Sequence, residues 1–336
     1  MPSQSVGTRI KLDVIAAAAH VSTPTVSKVL NGRPDVAPKT RRHIENVLKE
    51  LGYVHRPPRP RRVGLIDLVF SDLSPGATDI IRGAEEATLA ARTRLAVSLI
   101  PTEAAVERWL RSLDRSRTDG VILVLTDLAP EHRERLAELQ APVVLVDPGA
   151  QPVAGVPSIG AGNWTGGLAA TEHLIRLGHR RIGTITGRLG APCGRQRLDG
   201  YRAALGRAGL VADPALIAEG DFEYESARRS ADAMLRLPDP PTALFAASDQ
   251  QAMGVYEAAR RHGLRVPDDL SVVGFDDIPT AGWMSPPLTT VRQPLAEMAV
   301  LAVRMLLAGD AGPVRERAEL TTTLVVRAST APPRRA

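Results

Sequence analysis

Two sets of residues in this sequence are spaced so that they could do chemistry. Between positions 23 and 28 stand Thr23, Pro24, Thr25, Ser27 and Lys28. Short side chains can approach base edges and thymine methyls, hydroxyls can donate to phosphate, and a lysine suits the acceptor pair of guanine. The second set is three aspartates, Asp147, Asp249 and Asp276, each just after a short apolar run. A carboxylate that accepts hydrogen bonds from two neighbouring hydroxyls suits a polyol, and an arginine supplies the complementary donors. Taken singly, each aspartate also reads as a helix cap or a turn residue.

The elements that must hold the first set are short helices. Leu12, Ile15, Ala16 and Ala19 recur at helical spacing and the run stops around His20. Ser22 can cap a second helix with Pro24 in its first turn and Val26, Val29 and Leu30 facing inward, ended by Asn31-Gly32. A third can begin near Ala37-Pro38 and run through Ile44, Val47, Leu48 and Leu51 to Gly52. Two short helices joined by a tight turn and packed by a third make a helix-turn-helix whose second helix presents its outer face to bases. By periodicity alone a generic three-helix bundle fits as well.

Charge separates this segment from the rest. Residues 1–62 hold 12 Lys/Arg against 4 Asp/Glu, which leaves 30 basic and 33 acidic residues in 63–336 out of the totals of 42 and 37. A basic module on a mildly acidic body is the footprint of a nucleic-acid reader, because phosphates release counterions to clustered Lys and Arg. The stretch from His55 to Arg62 carries three prolines and cannot form a regular helix. Either Arg56, Arg59, Arg61 and Arg62 follow phosphates or a narrow minor groove, or the stretch is a semi-rigid spacer.

The second set requires strands. Short apolar runs at 63–69, 95–100, 120–125, 142–146, 182–186, 243–247 and 271–275 alternate with amphipathic stretches at 80–91, 164–177, 197–208 and 252–262. Such alternation predicts parallel sheets with helices on both faces, and seven strands over so long a stretch fit two sheets side by side. In open α/β sheets ligands bind beyond the carboxyl ends of strands, where the three aspartates fall.

Several classes find no support. A single cysteine, Cys193, excludes an internal disulfide and a cysteine-based zinc cage. With no signal-peptide pattern and no apolar run of about 18 residues, the expected location is the cytoplasm, without a membrane partner. No phosphate-binding glycine loop, zinc-helix histidine pair or nucleophile with its base is legible, so neither an enzyme, a cofactor nor a metal is expected.

The residues Val21 to Gly32, followed by Lys39-Thr40-Arg41 and Leu51-Gly52-Tyr53, resemble the DNA-binding headpiece of the lactose-repressor (LacI/GalR) family. The resemblance continues through 171–182, Arg197-Leu198-Asp199-Gly200-Tyr201, Ser248-Asp249, 270–277 and Pro286 to Val291. It implies a DNA-binding regulator, most commonly a repressor, working as a homodimer on double-stranded operator DNA and switched by a small, sugar-like effector. It implies that Thr23, Pro24 and Lys28 read bases, and that Thr25, Ser27, Asn31 and Tyr53 touch the DNA backbone. It places Arg197, Asp249 and Asp276 in the effector cleft, with Phe222 and Trp283 as aromatic faces and Asp72 within reach.

The implied fold is α/β: a small all-α helix-turn-helix headpiece (1–56), a basic Pro/Arg linker (57–62) and a two-lobed periplasmic-binding-protein-like domain of parallel sheets flanked by helices (63–334). Lobe 1 is expected at 63–157 and 291–320, lobe 2 at 158–290 and 321–334, with crossings near Pro157, Thr290 and Thr321. The chain departs from the family pattern at Lys11, Val14 and His20, in a linker lacking the leucine that the family wedges into the minor groove, and in a shortened Phe70–Ala77 segment. Two other readings remain open: a DNA-binding protein whose cleft only dimerises, and a cytoplasmic solute-binding protein with a basic head.

Overall fold

The computed structural model describes residues 12–30, 33, 35–51, 53, 63–113, 117–124, 132, 135–136, 141–147, 153, 155–308 and 317–334. Asn31, Arg56, Arg59 and the rest of the linker lie outside the described residues. The chain divides into two compact units, 1–62 and 63–336.

In the first unit α1 (Leu12–Ala18), α2 (Thr23–Leu30) and α3 (Pro38–Glu50) enclose a small core of Ile15, Ala16, Ala19, Val26, Val29, Ile44 and Val47. Ser22 caps α2: its hydroxyl accepts from the Thr25 amide at 3.3 Å and shares a 2.8 Å bond with the Thr25 hydroxyl. Pro38 opens α3, where a missing N–H costs nothing. The turn between α1 and α2 passes through His20 at φ 52°, a left-handed conformation that a side chain tolerates less well than glycine.

The second unit contains two six-stranded sheets. The first is ordered β11-β5-β4-β3-β1-β2, from β1 (Leu65–Phe70), β2 (Arg94–Leu99), β3 (Gly120–Val124), β4 (Val143–Val146), β5 (Ser158–Ala161) and β11 (Arg317–Leu320), all parallel. The second is ordered β12-β10-β9-β8-β6-β7, from β6 (Ile182–Thr186), β7 (Ile217–Glu219), β8 (Ala243–Ala246), β9 (Ser271–Asp276), β10 (Thr289–Arg292) and β12 (Thr323–Val325). Among the described strands only the β10–β12 pairing is antiparallel.

Helices cover both faces of each sheet. The first packs one face on α4 (Ala77–Ala90) and α11 (Leu295–Ala308), through Ile80, Ala84, Met298 and Val303, and the other on α5 (Glu103–Ser112). The second packs α6 (Asn163–Arg176) and α7 (Pro192–Arg207) on one face and α8 (Tyr224–Leu235) and α9 (Asp249–Arg261) on the other. Helices α6 and α7 touch backbone to backbone, because Gly167 and Gly200 leave no room for a Cβ.

Among the described residues the chain passes between the sheets three times, and two passages differ from expectation. The first follows Ala161 rather than Pro157, because Ser158–Ala161 pairs with β4 and β11 in the first sheet. The second lies beyond Arg292 rather than at Thr290, since β10 is held in the second sheet by β9 and β12. The third runs through Thr321 and Thr322, where Thr322 donates to the Gly162 carbonyl at 3.0 Å.

The segment after β12 is tied to the second sheet. The Val272 amide donates to the Ser329 carbonyl at 2.9 Å, and the Ser329 hydroxyl returns a 2.6 Å bond to the Val272 carbonyl. His179 donates from Nε2 to the Ala331 carbonyl at 2.9 Å, and His173 meets the Thr330 hydroxyl at the same distance. Burial lowers the pKa of both imidazoles and keeps them neutral.

Candidate ligand cleft and nucleic-acid interface

Arg197, on α7, is only 3% exposed, so its charge must be compensated from within. Its Nε donates to Asn163 Oδ1 at 2.8 Å and its Nη1 to the Ala247 carbonyl at 2.5 Å, while Asp276 Oδ1 lies 3.5 Å from Nη1. The guanidinium stacks 3.7 Å from the Phe275 ring centroid and stands 5.7 Å from that of Phe222. A planar cation can bond in its plane and stack on its faces at once, which a lysine cannot reproduce.

Asp276 ends β9 at φ 113° and accepts from Gln293 Nε2 at 2.7 Å. Burial pushes its carboxyl up to about 6 against the opposing pull of Arg197. Asp147 follows β4, in the other sheet, at φ 47°. Its carboxyl is also raised by burial and lowered by Arg197, so strand ends from both sheets share the field of one guanidinium. Among the described residues no hydrogen-bond partner reaches the Asp147 carboxyl. Phe222, at φ 73°, lays its ring over Gly187 and receives a 2.9 Å bond at its carbonyl from Ser248.

The other predicted cleft residues are placed differently. Asp249 is fully buried at the start of α9. Its Oδ1 accepts from Thr290 at 2.5 Å and its Oδ2 from the Ile278 amide at 2.9 Å, so both oxygens serve the protein itself. Burial and the neighbouring Asp276 raise its carboxyl well above the usual range. Trp283, on the short helix α10 (Pro279–Trp283), is 77% exposed, and Asp72 is exposed on the loop after β1. Neither bonds to the Arg197 cluster among the described residues.

Sequence reasoning missed Asn163, Phe275 and Gln293. Gln293 follows β10, a strand without an apolar run, and its Oε1 is buried without a partner among the described residues. Cys193 also feels the charges of Arg197, Asp147 and Asp276, but burial raises its thiol and keeps it protonated. Among the described residues no group of three His, Cys, Asp or Glu could hold a metal.

On α2, Thr23, Pro24 and Lys28 are exposed, while Thr25 and Ser27, and Tyr53 beyond α3, are half-buried. Lys28 Nζ lies 2.7 Å from Asp35 Oδ2, an exposed pair in which the lysine lowers the Asp35 pKa.

The sequence matches the family model described as bacterial regulatory proteins, lacI family, over residues 11–55, and the periplasmic binding protein-like domain over 171–330. The HTH-type transcriptional repressor PurR of Aliivibrio salmonicida is 34% identical over 307 residues, covering 87% of this chain and 90% of that repressor. The chain belongs to the lacI family of bacterial regulatory proteins. This lacI-family regulator also resembles the solved transcriptional regulator CelR–cellobiose complex, at 35% identity and a TM-score of 0.73, covering 96% of this chain and all of that one. The lac repressor dimer bound to operator and the anti-inducer ONPF is similar at 28% identity and a TM-score of 0.69, with the same coverage. Like its relatives, the lacI-family chain is a DNA-binding transcriptional regulator with a helix-turn-helix and a two-lobed ligand-binding domain. No helix among its described residues is long and apolar enough to cross a membrane.

Proposed function

We propose that the regulator represses transcription as a homodimer on double-stranded operator DNA and lets go when a sugar-like effector enters the cleft around Arg197. The observation that carries the cleft is the convergence of Asp147 and Asp276, from different sheets, on one buried guanidinium flanked by Phe222. Carboxylates and an arginine orient hydroxyls, and an aromatic face suits sugar C–H groups. None of the Arg197 bonds described uses Nη2, which is assigned to the effector. Asp72 and Trp283, both exposed, are assigned to its mouth. Asp249 acts from behind, holding Thr290 and the Ile278 amide in place beside Asp276. The cellobiose bound in the CelR complex supports a carbohydrate ligand.

On DNA, Thr23, Pro24 and Lys28 face base edges, Thr25, Ser27, Asn31 and Tyr53 contact the backbone, and Arg56 and Arg59 follow phosphates from the linker. Two recognition helices related by a two-fold axis meet half-sites roughly 34 Å apart, as the operator-bound dimer of the lac repressor leads one to expect. Coupling of about 1 to 3 kcal/mol between cleft and headpiece corresponds to a ~5- to 150-fold change in operator affinity. The role is binding without catalysis, in the cytoplasm where the DNA lies.

A thermal-shift screen of mono- and disaccharides on the wild type, Asp147→Asn and Arg197→Ala tests the cleft. A sugar should raise the wild-type melting temperature and leave the folded variants unmoved. A sugar that stabilises all three equally rejects the site.

A further inference from the structure

We infer that Asp119 fixes the point at which the linker enters the sensor, and thereby sets which half-site spacing the regulator accepts. This rests on the DNA-binding reading above. The linker ends at Arg62 and the described chain resumes at Val63. There a single carboxylate grips two consecutive amides: Val63 donates to Asp119 Oδ1 at 2.7 Å and Gly64 to Oδ2 at 2.8 Å.

The backbone is shaped for this grip. Gly64 sits at φ 77°, and a Cβ there would meet nothing within 4 Å, so conformation and not space calls for glycine. The left-handed residue turns successive N–H groups toward one acceptor. Neighbouring bonds complete the clasp: the Gly64 carbonyl accepts from the Arg94 amide at 2.9 Å, and the Leu65 carbonyl from the Asp119 amide at 2.8 Å. Thr118 adds a 3.3 Å bond to the Leu65 carbonyl.

The clasp lies at the amino ends of β1 and β3, whereas the Arg197 cluster gathers at carboxyl ends. Six residues of β1 span about 20 Å, so Asp119 stands one strand length from the effector end of that sheet. The Val63 amide lies at an exposed position where water could replace the carboxylate, so the contact is not required to satisfy a buried group. What it supplies is a fixed exit.

A fixed exit matters because the linker, 57–62, is only six residues long, three of them proline. The span between half-sites is the separation of two exits plus the reach of two linkers. Without Asp119 the held path begins at the Gly64 carbonyl, still bonded by the Arg94 amide, and one released residue per arm adds up to ~7 Å of reach over the two arms. At about 3.4 Å per base pair this is two base pairs, enough to blur spacing discrimination.

The test uses the full chain and a duplex that the wild type selects from a random pool. The centre of that duplex is then lengthened or shortened by one and two base pairs. Wild type should lose at least tenfold in affinity across the series. Asp119→Ala should bind the parent duplex about 3- to 10-fold more weakly and vary less than threefold across the series. Asp119→Asn, which keeps one acceptor, should fall between them, with the wild-type melting temperature.

A folded Asp119→Ala or Asp119→Asn protein that keeps the wild-type spacing profile overturns the inference and leaves the proposed function intact. A wild type that selects no duplex at all overturns both.

Discussion

Replacing Asp276 by Asn should make the regulator more stable while weakening its cleft. The Asp276 carboxyl is pushed from its ordinary 3.8 up to about 6 by burial. The folded chain therefore holds that proton more tightly than the unfolded chain, and above pH 6 the ionised carboxylate opposes folding. A shift of roughly two units at 1.36 kcal/mol each amounts to about 3 kcal/mol at pH 8. As the pH falls through 6 the wild type recovers this stability, about half of it by pH 5 and nearly all below 4. Asn is neutral throughout, can still accept from Gln293, and tolerates the positive φ that Asp276 adopts. It also removes the charge that helps to raise the Asp249 carboxyl. For a unit of this size the gain is worth ~6 to 12 °C in melting temperature. Calorimetry of both proteins at pH 8 and pH 5 gives the difference, in which titrating groups remote from Asp276 cancel and the relieved Asp249 carboxyl adds to the gain at pH 8. An Asn variant no more stable than wild type at pH 8, or a gain that does not shrink at pH 5, would refute the reasoning.

Three further changes separate the other contacts. Asp35→Asn frees Lys28 and should raise affinity for random duplex about two- to fivefold in low salt, an increase that fluorescence anisotropy should find vanishing as salt screens it. His20→Gly relieves the left-handed residue in the headpiece turn and should stabilise the headpiece by ~0.5 to 1 kcal/mol, read in the full chain as slower amide exchange in α1 and α2. Gly200→Ala drives a methyl into the Trp164 carbonyl and the Leu168 amide, and should cost ~1 to 3 kcal/mol; an unchanged melting temperature would mean that α6 and α7 separate freely.

What could be read in advance follows a physical division. The headpiece was legible because Ile15, Val26, Val29 and Ile44 recur at helical spacing and Ser22 caps locally. Strands β1, β3, β4, β8 and β9 are fully or nearly fully buried and so announce themselves as apolar runs. Strands β5, β7, β10, β11 and β12 have three or four residues of mixed polarity, and pairing with distant strands forms them. Missing β5 and β10 misplaced two crossings and hid Gln293. Asp249 is the sharper case: its place after an apolar run is legible, but its partners Ile278 and Thr290 lie 29 and 41 residues away, and no local pattern marks them. Family resemblance, and not spacing, led to Arg197; Phe275 beneath it lay hidden within a core strand.

The late position of β11 and β12 orders events during synthesis. Each sheet takes its last strand from residues 317–325, so a nascent chain can finish neither lobe until those residues have been translated. The three headpiece helices, by contrast, end at residue 50 and emerge before either lobe can be finished. At about 5 to 20 residues per second, roughly 15 to 50 s separate the two. Throughout that interval the headpiece is followed by a ligand-binding domain in which neither sheet has its full set of strands.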